Sequence, residues 1–92
     1  MNNLTTFDIA EYLDDKEVVA EYLTQVLQDG DINEFFEAIG NVAKAKGMSQ
    51  IAKDTGLGRE SLYKSFSANA HPKFETVRKV LNSLGVKLQA TA

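Results

Sequence analysis

Apolar residues recur along this chain with the spacing of buried helix faces, and short polar or glycine-containing breaks separate them. Between residues 14 and 30, intervals of three and four relate Val18, Val19, Tyr22, Leu23, Val26 and Leu27. Between residues 31 and 47, the same intervals relate Ile32, Phe35, Phe36, Ile39, Val42 and Ala43. Near the end of the chain, they relate Phe74, Val77, Val80, Leu81 and Leu84. The pattern predicts an all-α fold in which each of these faces is buried.

Acidic residues and glycines mark the predicted helix ends. The spacing of a capping box occurs three times, at Asp8 and Glu11, at Asp14 and Glu17, and at Asp31 and Glu34. Gly30 and Gly47 are expected to end two helices, and Gly85 is expected at the C′ position of the last one. Gly40 interrupts the third pattern and costs its helix about 1 kcal/mol relative to Ala. We therefore expect a close helix crossing at Gly40.

The segment "MSQIAKDTGLGRESLYKSFS", residues 48–67, has the residue types of a helix-turn-helix. Ala52 is small enough for a steep helix crossing, and Gly56 tolerates the positive φ that the turn requires. The apolar anchors are Ile51, Leu57, Leu62 and Phe66. The outward face of the second helix then carries Arg59, Glu60, Tyr63, Lys64 and Ser67, whose polar atoms can contact base edges or phosphates.

The segments that flank the last helix are less regular. "SANAH", residues 67–71, is expected to be a linker, with His71 as a turn residue, and Pro72 to set the entry of the final helix. "VKLQA", residues 86–90, alternates apolar and polar positions and could form a short C-terminal strand. Such a strand could complete a sheet in a dimer, or the segment could simply fray.

Charge is distributed unevenly along the 92 residues, which are enough for one domain. Residues 1–42 contain ten acidic side chains and one basic side chain, a net charge of −9, whereas residues 43–92 contain nine basic and three acidic side chains, a net charge of +6. The basic half can meet phosphate, and the acidic half can meet a basic partner. The alternative for the acidic half is a solvated surface, and helix capping explains part of its charge.

Composition narrows the classes of function and location. The chain has one His, no Cys, no glycine-rich phosphate loop and no nucleophile–base spacing, so we expect no enzyme activity, no cofactor and no metal site. No apolar run approaches the roughly 18 residues of a membrane span. The N-terminus does not have the pattern of a secretory signal. The lack of Cys fits a reducing compartment, so a cytoplasmic location is expected.

Two sets of residues carry a resemblance to known proteins. The order Ile51-Ala52, three residues, Gly56-Leu57, four residues, Leu62 is similar to the helix-turn-helix of the Cro and phage-repressor type. Three segments, "FDIAEYLDD", "GMSQIAKDTGLGRESLYKSFS" and "PKFETVRKVLNSLGVKL", together resemble the probable addiction-module antidote proteins, which are HigA-like antitoxins. The resemblance extends from Phe7 to Leu88, and "FDIAEYL" followed by an acidic helix is its more discriminating part.

The resemblance implies a five- to six-helix Cro/repressor-like DNA-binding domain, residues 1–92, with an acidic N-terminal helical extension. Residues 1–42 would face a small basic toxin of the RelE/ParE or HigB type, and residues 43–92 would bind operator DNA as an autorepressor. The implied DNA-binding residues are Ser49, Gln50, Lys53, Arg59, Glu60, Ser61, Tyr63, Lys64 and Ser67. Ser65 stands where many Cro-class relatives carry an apolar anchor, and Phe66 is expected to take over that packing.

The sequence is compatible with three hypotheses about function. The first is an antitoxin that is also an autorepressor, and the second is a phage-like transcriptional regulator without a toxin. The third is a protein-interaction module whose helix-turn-helix has lost DNA binding. A DNA-binding form is expected to be a homodimer, because one short recognition helix covers few base pairs and two-fold symmetry reads half-sites about 34 Å apart.

Overall fold

Residues 8–92 form five α-helices, preceded by one turn of 3-10 helix. The structure, a computed structural model, describes residues 8–92, so Phe7 of the "FDIAEYL" segment lies outside the described residues. The 3-10 helix is Ile9–Tyr12, and the α-helices are α1 (Lys16–Asp29), α2 (Ile32–Lys46), α3 (Met48–Thr55), α4 (Arg59–Ser65) and α5 (Phe74–Ser83). Residues 8–92 contain no β-strand, so the predicted all-α class is confirmed and the optional strand at 86–90 is wrong.

Aspartate side chains cap the first three helical segments, with one change from the predicted positions. Asp8 Oδ1 accepts the Ala10 amide proton at 3.0 Å, at the start of the 3-10 helix. Asp15, not Asp14, caps α1, because its carboxylate accepts the amide protons of Glu17 and Val18 at 3.1 and 3.2 Å. The Asp15 amide donates to Tyr12 O at 2.9 Å, which places Asp14 inside the turn and moves the helix start by one residue.

The capping box at α2 is complete. Asp31 Oδ1 accepts the Glu34 amide proton at 2.9 Å, and Glu34 Oε1 accepts the Asp31 amide proton at 3.1 Å. Both interactions satisfy amide protons that have no partner inside the helix, and both place negative charge at the positive end of the helix dipole. The predicted box at this position is confirmed.

The end of α5 explains why residues 86–90 do not form a strand. Gly85 has a φ of 80°, its amide donates to Asn82 O at 3.0 Å, and the Val86 amide donates to Leu81 O at 2.9 Å. This hydrogen-bond pair is a Schellman motif, and it turns the chain so that Val86, 5% exposed, packs into the core. In this chain the apolar–polar alternation therefore reflects one buried residue after a helix, Val86, and not a strand at the edge of a sheet.

The core lies around α2, which contacts α1, α3, α5 and the 3-10 helix. Its buried apolar residues are Val19, Leu23, Phe35, Ala38, Ile39, Val42, Ala43, Met48, Ile51, Leu62, Phe66, Val77, Val80, Leu81, Leu84 and Val86. The centres of the predicted stripes are therefore buried, and Phe35 is buried while Phe36 is half-buried. Most of the residues at the centres of the predicted faces belong to this core.

Three residues at ends of the predicted stripes are exposed. Phe74 is 67% exposed, Ile32 is 50% exposed and Leu27 is 42% exposed, so the predicted inward positions of these three are wrong. Ile32 and Phe74 are the first residues of their helices, and Leu27 lies in the last turn of α1. Helix periodicity alone does not show how far the neighbouring helices extend, so it assigns the terminal turns to the core incorrectly.

Gly40 permits the close approach that fixes the end of α4. A Cβ atom at this position would lie 2.9 Å from the Cβ of Phe66, closer than side chains pack. Phe66 is the C-cap residue of α4 and is 3% exposed. The predicted close crossing at Gly40 is confirmed, and it joins the centre of α2 to the end of α4.

Candidate nucleic-acid interface

A tight turn joins α3 to α4 and sets the angle between them. Gly56 has a φ of 76° and a ψ of 7°, the left-handed conformation, and its amide donates to Ala52 O at 2.9 Å. The Thr55 hydroxyl donates to Ile51 O at 2.8 Å and accepts the Leu57 amide proton at 3.2 Å. The turn between the two helices is therefore held by a side chain as well as by the backbone.

Buried anchors determine which side of each helix faces solvent. Ile51 on α3 is completely buried, and Leu62 and Phe66, four residues apart on α4, are 1% and 3% exposed. Side chains four residues apart lie on the same face of a helix, so the opposite face of α4 points away from the core. Ser65 is half-buried beside the buried Phe66, which agrees with the expectation that Phe66 supplies the packing at this point.

All the residues proposed from the sequence as DNA contacts are exposed. On α3 they are Ser49, Gln50 and Lys53, and on α4 and the residues after it they are Arg59, Glu60, Ser61, Tyr63, Lys64 and Ser67. They lie on two adjacent helices, or just after the second, with a fixed turn between the helices.

Three hydrogen bonds restrain polar side chains of this surface. Arg59 Nη1 donates to Ser49 Oγ at 3.2 Å, which joins the first turns of α3 and α4. Gln50 Nε2 donates to Asp54 Oδ1 at 2.8 Å, one turn along α3. Ser67 Oγ donates to Lys64 O at 2.8 Å after the end of α4. Arg59 keeps further guanidinium N–H groups for a ligand, because only one nitrogen takes part in the bond to Ser49.

Sequence reasoning did not include Lys44 in this surface. Lys44 lies near the end of α2, and its Nζ is 5.8 Å from the centroid of the Tyr63 ring on α4. A cation at this distance from a tyrosine ring is attracted by the negative face of the ring. The sequence signal was a basic residue in the last turn of a helix, which helix-dipole stabilisation explains equally well.

The segment predicted as a linker also borders α4. A cleft of about 450 Å³ lies between Ser61, Lys64 and Ser65 on one side and residues 70–73 with Thr76 on the other. His71 and Lys73 lie in this lining and are exposed, so they extend the polar surface beyond the end of α4. His71 was expected only as a turn residue, and Lys73 was counted only in the charge of the basic half.

The acidic and basic halves of the chain meet at α2. The 3-10 helix and α1 both pack on α2, as does α3, while α4 packs on α3. The core that supports the α3–α4 surface therefore also contacts the acidic 3-10 helix and α1.

No helix within residues 8–92 has both the length and the continuous apolar character needed to cross a membrane.

Comparison with known proteins gives one family and one relative. A family model described as "Probable addiction module antidote protein" matches residues 3–92. A protein of Haemophilus influenzae (strain ATCC 51907 / DSM 11121 / KW20 / Rd), described as "Uncharacterized protein", is 43% identical over 86 residues, which cover 94% of this chain and 89% of that protein. No solved structure gives a significant match.

Proposed function

The chain belongs to the family of probable addiction module antidote proteins, and on this basis we propose that it is the antitoxin of a type II toxin–antitoxin module. In this proposal it neutralises a small basic toxin of the RelE/ParE or HigB type in the cytoplasm. It also binds operator DNA upstream of its own gene as a repressor. Its action on the toxin is stoichiometric masking and not catalysis.

The observation that supports DNA binding most directly is the exposed polar face of α4 opposite two buried anchors. An α-helix with its side chains is about 10–12 Å across, and the major groove of B-DNA is about 12 Å wide, so α4 can lie in the groove. In this proposal α3 and α4 are a helix-turn-helix of the Cro type, and α4 is its recognition helix.

The chemistry of each side chain suggests its role at DNA. Arg59 and Lys64 supply donors for guanine edges or phosphates, and Glu60 can accept from the exocyclic amine of cytosine. Ser49, at the start of α3, accepts a hydrogen bond from Arg59. A phosphate oxygen of DNA could take the place of either residue in this bond, by accepting from Arg59 or from the Ser49 hydroxyl. Gln50 and Lys53 on α3, and Ser61, Tyr63 and Ser67 around α4, complete the proposed contact surface.

We propose that the operator-binding form is a homodimer. A single helix of seven residues reads only a few base pairs, whereas two copies related by a two-fold axis read a palindrome with half-sites about 34 Å apart. Sedimentation of the protein alone and with an operator duplex measures this directly, with two copies expected per palindrome. One copy per duplex contradicts the dimer without affecting the other parts of the proposal.

The acidic half is proposed to bind the toxin. Residues 1–42 carry a net charge of −9, and opposite charge speeds association with a basic partner and disfavours other partners. In the same half, Leu27 and Ile32 are large apolar side chains with 42% and 50% exposure. A masking surface that combines negative charge with exposed apolar groups is consistent with binding to a basic protein.

The double variant Arg59→Ala/Lys64→Ala tests the assignment of the DNA-binding surface. We expect it to lose operator binding and to keep toxin neutralisation, because both changes lie on α4. Lys79→Ala/Lys87→Ala is the matched control, since it removes the same charge from the basic half outside α3 and α4. Equal loss of binding in the two variants, or a wild-type protein that ignores its upstream duplex at low salt, contradicts the assignment.

Co-expression separates the antitoxin from a phage-like regulator without a toxin. If a basic protein of about 100 residues is encoded next to this chain, a size within the single-domain range, its expression alone should arrest growth. Co-expression of this chain should restore growth. Operator binding without any toxic neighbour supports the regulator instead.

A further inference from the structure

Helix capping explains only part of the acidic charge in the first half of the chain. Asp8, Asp15, Asp31 and Glu34 accept backbone amide protons at the starts of helices, which is a structural role. The other six acidic residues are all exposed, and they are Glu11, Asp14, Glu17, Glu21, Asp29 and Glu37. Six exposed carboxylates that capping does not require are free to serve a different purpose.

One of these carboxylates lines a groove at the junction of the 3-10 helix and α1. We name it the tyrosine groove, and the residues between 8 and 92 that line it are Tyr12, Val18, Glu21, Tyr22 and Gln25. Its volume is about 480 Å³. Glu11 and Glu17 are the chain neighbours of two lining residues, so further negative charge lies close to the groove.

The tyrosine groove lies on the side of α1 next to its core-facing residues, and Tyr22 is half-buried and packs partly against the core. Its residues on α1 are spaced by three, one and three positions, which is the repeat of one helix face. The core-facing residues of α1 are Val19 and Leu23, each 2% exposed or less. Tyr12 closes the groove from the 3-10 helix and is 43% exposed, so part of its side chain faces solvent at the groove.

The side chains of the groove match the chemistry of a guanidinium group. An Arg side chain stacks on aromatic rings, forms paired hydrogen bonds with a carboxylate and donates to an amide carbonyl oxygen. Tyr12 and Tyr22 provide the rings, Glu21 the carboxylate and Gln25 the amide oxygen. The methyl groups of Val18 suit the aliphatic part of the same side chain.

We propose that the tyrosine groove receives an arginine side chain of a basic partner protein. The inference rests on the proposed function in one respect, since that partner is then the toxin. Charge complementarity favours a protein over a nucleic acid here, because the surrounding carboxylates repel phosphate. The groove therefore supplies the specific contact within an acidic half that otherwise acts by general attraction.

The groove can be tested without any toxin. We expect N-acetyl-arginine amide, titrated into the 15N-labelled protein, to shift amide signals around Glu21, Tyr22 and Gln25. N-acetyl-lysine amide at the same concentration should cause smaller shifts, because an ammonium group cannot stack on a ring or pair with both carboxylate oxygens as a guanidinium does. Shifts that are equally large at Asp29 and Glu37, or equal for both compounds, overturn the proposal.

A matched pair of charge removals tests the same groove against the toxin. Glu21→Gln and Glu37→Gln both remove one exposed carboxylate from a helix of the acidic half, and Glu37 is absent from the groove. We expect Kd for the toxin to rise about tenfold or more in Glu21→Gln and about twofold or less in Glu37→Gln, as for central and rim charges of an interface. Equal increases overturn the proposal.

Further measurements separate a local effect from misfolding. Tyr12→Phe should bind the toxin nearly as wild type because it keeps the ring, whereas Tyr12→Ala should bind it about tenfold more weakly. Circular dichroism and operator binding should be unchanged in all these variants, because every substituted residue is exposed and none lies on α3 or α4. If both Tyr12 variants bind the toxin like wild type, the groove is not the contact.

The two tests also separate this inference from the proposed function. If N-acetyl-arginine amide shifts only the amide signals of the groove and no toxin is encoded next to the gene, the groove proposal holds and the antitoxin proposal fails. If the protein binds the toxin tightly and Glu21→Gln and Glu37→Gln weaken that binding equally, the antitoxin proposal holds and the groove proposal fails.

Discussion

Replacing Gly40 by Ala tests whether the contact between α2 and the end of α4 limits the stability of the fold. The new Cβ would lie 2.9 Å from Phe66 Cβ, whereas ordinary contacts are 3.4–4 Å, so the two segments must separate by at least about 0.5 Å. The Cβ of Phe66 moves only with its backbone, and Phe66 is 3% exposed, so a rotamer change cannot relieve the contact. The strain therefore has to be taken up by a shift of a helix.

Two opposing free-energy terms decide the sign of the effect. Overpacking a buried contact costs about 1–3 kcal/mol, and a contact that only the backbone can relieve belongs near the upper end. Ala stabilises a helix interior by about 1 kcal/mol relative to Gly. We expect Gly40→Ala to lower the free energy of unfolding by about 1.5 kcal/mol. At about 4–8 °C per kcal/mol for a domain of this size, Tm falls by about 6–12 °C.

Thermal and urea unfolding followed by circular dichroism measure this change. Asn41→Ala is the matched control, because Asn41 is the next residue of α2, is exposed and also gains helix propensity when replaced by Ala. It should leave the protein equally stable or slightly more stable. If Gly40→Ala raises Tm as Asn41→Ala does, helix propensity outweighs the contact and the close approach to Phe66 does not constrain the fold.

Two further predictions concern helix ends and the turn before α4. Asp31→Ala removes the capping box of α2 and should lower the free energy of unfolding by about 1 kcal/mol, whereas Asp14→Ala, which removes no cap, should change it by less than about 0.5 kcal/mol in urea unfolding. Equal effects would assign the loss to charge and not to capping. Gly56→Ala meets no atom within 4 Å but forces Ala to a φ of 76°, so we expect a loss of about 1–2 kcal/mol. Gly58→Ala, at a φ of −69°, adds no such strain and should cost less, about 0.5–1 kcal/mol, for replacing Gly by Ala at the N-cap of α4. A Gly56→Ala protein as stable as the wild type would refute the strain argument.

The sequence predicted the parts of the candidate site that depend on local spacing. Ile51, Leu62 and Phe66 were identified as anchors from their intervals, and all three are buried. Once the anchors of a short helix are known, its opposite face follows from 3.6 residues per turn. Lys44 was missed because it belongs to another helix, and local spacing does not show which side chain reaches the ring of Tyr63.

The errors at helix ends have the same origin. Asp14 and Asp15 are both competent caps, and the turn that follows the 3-10 helix selects Asp15 through a backbone bond to Tyr12. Phe74 fits the apolar stripe of α5 but lies at its first residue, where the neighbouring helices no longer cover it. In both places the outcome depends on the position of another segment.

The sequence by itself determined the order of the helices, their number to within five or six, most of their ends and the turn glycine at position 56. These features depend on periodicity and on hydrogen bonds between residues a few positions apart, and both are written in the local pattern. Only the tertiary structure decided that Gly40 meets Phe66, that Lys44 meets Tyr63 and that the 3-10 helix closes a groove against α1. Those contacts arise from the relative placement of separate helices, which the whole core fixes and no single segment encodes.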